Sequence, residues 1–117
     1  MIEMFWWLLV GHMVGDFWAQ GEAMARGKSR KFSMPGEAGF FPPWPYWLSA
    51  HALIHGGAVA LATQSVSLGV AEAVAHGVID FGKCEGWYGF HTDQALHVVC
   101  KVAWCLLLGP TAALAAS

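Results

Sequence analysis

Residues 72–83 read EAVAHGVIDFGK. Glu72, His76 and Asp80 stand four positions apart, and most residues between them are small or aliphatic. On a helix, positions four apart lie one above another on a single face. The stretch therefore predicts a helix with one polar stripe on an otherwise apolar surface. That stripe belongs inside a group of helices, where carboxylate and imidazole find partners instead of facing an apolar medium.

The same spacing recurs on both sides of this stretch. His12 and Asp16, His51 and His55, and Asp93 and His97 are pairs four apart, as are His76 and Asp80. Only His91, among nine His and Asp residues, stays outside a pair. A shuffled chain of this composition would hold about 0.6 such pairs. Gln20 prolongs the first stripe beyond Asp16.

Each pair falls on its own helical segment, at about residues 2–20, 45–62, 68–82 and 93–108. Pro45 suits a first helical turn and Thr92 an N-cap. Residues 63–67 (TQSVS) make the turn between the second and third segments, and Gly109-Pro110 ends or kinks the fourth. The connection 21–44 is long for a structureless loop. It holds four of the six basic residues, Arg26, Lys28, Arg30 and Lys31, and a short helix over Glu22–Lys31 is one reading of it.

Composition sets the expected surroundings. The chain has 117 residues, one domain's worth, with 56% hydrophobic and 12% charged residues and a mean hydropathy of +0.47. The charged share is about half that of an average soluble domain. No charged residue lies between Glu37 and Glu72. The expected fold is an all-α four-helix transmembrane bundle, 1–117 forming one integral-membrane domain with its His/Asp centre near the cytoplasmic side. Segments of about 15–20 residues sit at the short end for a bilayer span. Trp18, Trp44, Tyr46, Trp47, Trp87 and Tyr88 gather at segment ends, as interfacial aromatics do. The basic loops place 21–44 and 82–92 in the cytoplasm and the termini outside. The N-terminal run lacks a basic n-region, so it reads as a retained helix, not a signal peptide. A soluble all-α metalloprotein is the alternative architecture. A net charge of −2 and the lack of a basic-aromatic motif exclude nucleic acid as an expected partner. Cys84, Cys100 and Cys105 have no paired spacing and read as small apolar residues.

Depth along the segments puts all four pairs in the same half of the bundle, with Asp16, Asp80 and Asp93 shallow and His12, His51, His76 and His97 beneath. His55 is expected to meet Glu72 deeper still. The candidate metal ligands are His12, Asp16, His51, His55, His76, Asp80, Asp93 and His97. A His-rich set with aspartates suits Zn²⁺ or Mn²⁺, as one or two ions. Asp16, Asp80, Asp93 and Lys83 are the catalytic candidates: one Asp outside the ligand shell as general base, and Lys83, Lys28 or Arg30 holding an anionic group. The first functional expectation is thus an integral membrane metal-dependent hydrolase acting on a phosphoester, in lipid or in a small phosphorylated molecule. The second is a non-enzymatic membrane protein with a structural His/Asp cluster, Asp16–Lys83 being one candidate pair, and a basic loop that binds a partner or anionic lipid. The third is an ion or proton path.

HMVGDFWAQ at 12–20 with Lys28 after it, then His51 and His55, EAVAHGVIDFGK at 72–83 and DQALH at 93–97 together resemble the domain of unknown function 3307 family of small bacterial and phage membrane proteins. The resemblance runs along almost the whole chain. It implies a bacterial inner-membrane location and leaves the biochemical role open. The sequence is also similar to the wider set of membrane proteins labelled metal-dependent hydrolases, which implies a metal cofactor. Residues 40–47 carry no motif of that pattern.

Overall fold

The computed structural model describes residues 1–33 and 40–116, with side chains as far as residue 109. Residues 34–39 of the long connection lie outside the described residues. Regular structure among those described is entirely helical. Helix α1 spans Ile2–Met13 and runs directly into a π-helical turn, Val14–Trp18. A short helix α2 follows at Glu22–Gly27, then α3 at Trp44–Thr63, α4 at Val66–Cys84 and α5 at Phe90–Ala116. Gly109, at φ 52°, bends α5 near its end.

Local chemistry sets these limits. Pro45 occupies the first turn of α3, where its missing N–H costs nothing. Gln64 ends that helix in the left-handed region at φ 56°, and its side-chain amide donates to the Leu61 carbonyl at 2.7 Å. Ser65 then caps α4 by accepting from the Leu68 amide at 3.2 Å. The turn is thus two residues long, tighter than the five expected. It leaves α3 and α4 as a closely packed antiparallel pair. Small residues permit the approach: a Cβ on Gly56 would stand 2.6 Å from the Gly69 carbonyl oxygen. Helix α1 packs on α3 and α5, α4 on α5, and α2 lies against α3.

The interior is polar. Among the described residues, buried apolar side chains are few, namely Leu8, Ala52, Val59 and Cys105. All five paired histidines are buried, with Glu72, Asp80, Asp93, Lys28 and Lys101. Val66, Val70, Val74 and Val78, four apart along α4, face outward.

The transmembrane four-helix bundle is not what the structure shows. There are five α-helices among the described residues, one of them inside the long connection. Among the described residues no helix is long and apolar enough to cross a membrane. The α-helical part of α1 has 12 residues, about 18 Å at 1.5 Å per residue. Helix α3 has the length, at 20 residues, but carries Pro45, Tyr46, Ser49, two histidines and two glycines. Glu72, His76, Asp80 and Lys83 lower the hydropathy of α4, and His91, Asp93, His97 and Lys101 that of α5. Overall composition averages apolar residues over the chain, whereas a bilayer must be crossed by single helices.

Candidate metal centre

Two ladders and a turn build the centre. On α4, Glu72, His76 and Asp80 point inward together, all buried. On α3, His51 and His55 do the same. Asp16 comes from the π-helical turn, closed by the Ala19 amide bonding back to the Val14 carbonyl at 2.7 Å. Such single π turns recur at functional sites. Gly15 in this turn lies against the His55 ring, where an added Cβ would stand 2.6 Å from Nε2. A side chain there would push the imidazole out of place.

Asp16 Oδ1 is the focus. His55 Nε2 lies 2.9 Å from it, His51 Nε2 3.3 Å and His76 Nε2 3.9 Å. These three nitrogens are buried and lack aligned hydrogen-bond partners. They converge on one oxygen at contact distance without an aligned hydrogen bond to it. The four donor atoms offered by Asp16, His51, His55 and His76 all lie within 4.8 Å of one another, as a shared cation requires. Two smaller groups adjoin: His12 with His76 and His97, and Asp80 with Asp93 and His97. The rings are close together, with centroids 3.7 Å apart for His55 and His76 and 4.1 Å for His76 and His97.

The orientation of His76 is fixed from behind. Its Nδ1 lies 3.3 Å from Glu72 Oε1, so an Nδ1–H donating there leaves the Nε2 lone pair facing the centre. Lys101 Nζ donates to the same Glu72 oxygen at 2.5 Å, and the Trp104 indole donates to the other. On the opposite side, Lys28 Nζ donates to Asp80 Oδ2 at 2.6 Å. Gln94 donates to Asp16 Oδ2 at 2.9 Å, and its carbonyl oxygen lies 3.0 Å from His12 Nε2.

Electrostatics divides the imidazoles. Burial lowers His55 to about 4 and His76 to about 3, so both are neutral with lone pairs free at neutral pH. Burial lowers His12 as well. Burial would also lower His97, but Asp80 and Asp93 raise it to about 9, and Asp16 and Asp80 raise His51 in the same way. Burial would raise Asp16 and Asp80, yet their histidine neighbours hold both well below the usual carboxylate range. Glu72 is lowered to about 2, against burial, by His76, Lys101 and Trp104.

All eight sequence-derived ligand candidates thus meet in one cluster. Their pairing differs from the expected layers. His55 meets Asp16, and Glu72 meets His76 of its own helix. The expected Asp16–Lys83 pair is replaced by Lys28 with Asp80 and Lys83 with Asp93, the latter at 3.9 Å. Arg30 pairs with Glu85, and Lys31 donates to the Glu85 carbonyl at 2.6 Å, so much of the basic segment is held internally. Lys101 and Gln94 were not among the candidates. Lys101 was findable: Asp93, His97 and Lys101 form a third ladder at intervals of four.

Fold and site together define an all-α protein with a buried histidine–carboxylate centre. The chain belongs to the family described as "Protein of unknown function (DUF3307)", which matches residues 4–116. No curated protein and no solved structure matches it.

Proposed function

We propose that this chain is a divalent-metal-binding protein that holds one ion between Asp16, His51, His55 and His76. The observation that supports this is the convergence of three buried Nε2 atoms, none with an aligned hydrogen bond, on one carboxylate oxygen. Three imidazoles and one carboxylate suit Zn²⁺ first and Mn²⁺ second. The centre is closed, since the three imidazoles are 0–1% exposed and the Asp16 side chain 10%. Closed sites of this kind stabilise folds.

Metal analysis of the purified chain tests the reading. The expected result is one Zn²⁺ per chain, lost in both His76→Ala and Asp16→Asn. Full retention in both variants rules out the site.

Hydrolysis is the second reading, favoured because Lys83, 31% exposed, stands 3.9 Å from Asp93 at the edge of the donor cluster. A bound Zn²⁺ supplies Lewis acidity and a water of lowered pKa. Lys83 would then hold the anionic group of a small phosphoester. Zn²⁺-loaded protein should cleave p-nitrophenyl phosphate, and Lys83→Met should lose most of that rate while keeping its metal. No cleavage above free Zn²⁺ refutes this reading and leaves metal binding intact.

A further inference from the structure

Asp80 faces two ways. Its Oδ2 lies 3.2 Å from His51 Nε2 and 3.6 Å from His76 Nε2, both donors to the proposed ion. Its Oδ1 lies 3.1 Å from His97 Nε2, and Asp93 Oδ1 lies 3.3 Å from that same nitrogen. Asp93 is 1% exposed, and its Oδ1 is buried with no hydrogen-bond partner. The donor atoms of Asp80, Asp93 and His97 lie within 4.8 Å of one another. A carboxylate with one oxygen in a donor group and the other beside two donors of the neighbouring group is placed as a bridging carboxylate of a two-metal centre would be.

Lys28 stands against double occupancy. It is 4% exposed, arrives from the end of α2, and places its ammonium 2.6 Å from Asp80 Oδ2. Gly27 fixes that arrival, because the Trp47 indole fills the space where a Cβ would sit, 2.6 Å away. The Lys28 ammonium already supplies a positive charge at the carboxylate that a second ion would share, and a divalent ion placed beside a buried ammonium is strongly unfavourable. Without Lys28 that charge is missing at Asp80, and a cation shared with Asp93 and His97 can supply it.

We propose that Asp80, Asp93 and His97 form a second divalent-cation site, bridged to the first through Asp80, and that Lys28 keeps it empty by supplying its charge. This rests on the single-ion reading above. The helix α2 segment thereby sets the metal count of the centre.

The test is Zn²⁺ stoichiometry on the full chain, by elemental analysis after dialysis and by calorimetric titration. The wild type should bind one Zn²⁺, Lys28→Met two, and the double variant Lys28→Met with Asp93→Asn one. Lys28→Gln, which retains hydrogen-bonding capacity without charge, gives the same reading if the methionine variant does not fold. One Zn²⁺ in both Lys28 variants, two in the wild type, or two in the double variant overturns the proposal while leaving the first site standing. None in the wild type overturns both.

Discussion

Glu72 does not join the proposed ligand set, yet it decides which nitrogen of His76 does. Its carboxylate accepts at Nδ1 and is itself held by Lys101 and Trp104. Such outer partners typically contribute 10–100-fold to metal affinity. Glu72→Gln should weaken Zn²⁺ binding by about tenfold, read by competition with a chromophoric chelator. An unchanged affinity would show that His76 needs no such support. Lys101→Met tests the same relay through stability. It leaves a buried carboxylate short of its cation, which costs about 3–5 kcal/mol, seen as a lower midpoint in urea unfolding. The individual ligands were legible because four-residue spacing has one geometric meaning on a helix. Their pairing was not. Whether His55 meets Asp16 or Glu72 depends on helix rotation and on the π turn, and neither leaves a periodic signal.

Among the elements, the α3–α4 hairpin places five of the centre's side chains and depends on small residues for its closeness. A Cβ on Gly69 would stand 2.7 Å from both Ala60 Cβ and the Gly56 carbonyl oxygen. Backbone cannot yield as a flexible side chain would. Gly69→Ala should therefore part the helices and destabilise the fold by about 1–3 kcal/mol in chemical unfolding. It should weaken Zn²⁺ binding as well, since His51 and His55 face His76 across the same contact. Ser65→Ala, which removes the α4 cap, should cost about 1 kcal/mol and leave metal affinity unchanged. Helix positions were readable from turn residues such as Pro45, Ser65 and Gly109. The short α2 was barely signalled, and its role as the carrier of Lys28 not at all. Lys28 and Asp80 are 52 residues apart, and nothing in the sequence links them.

At the scale of the molecule, the polar interior sets how the chain depends on its ion. Buried carboxylates without compensation oppose folding, and a ligand bound only by the folded state adds stability by mass action. Zn²⁺ at one hundred times its dissociation constant should add about 2.7 kcal/mol, a rise in melting temperature on the order of 10 °C. Removal with a chelator should reverse it. A melting temperature indifferent to both would mean that the imidazoles and carboxylates satisfy one another without metal. Composition misled at this scale. Outward-facing residues such as Val66, Val70, Val74 and Val78 count toward apolar content as core residues do, so the average suggested membrane-spanning helices where none is long and apolar enough among the described residues. The His/Asp centre was legible because it depended on spacing, not on averages.

Anomalous diffraction from crystals of the Zn²⁺-loaded protein, collected on both sides of the zinc absorption edge, tests the centre most directly. A single anomalous peak enclosed by Asp16, His51, His55 and His76 is the expected result. A zinc peak elsewhere on the molecule, with none between these four side chains, would contradict it.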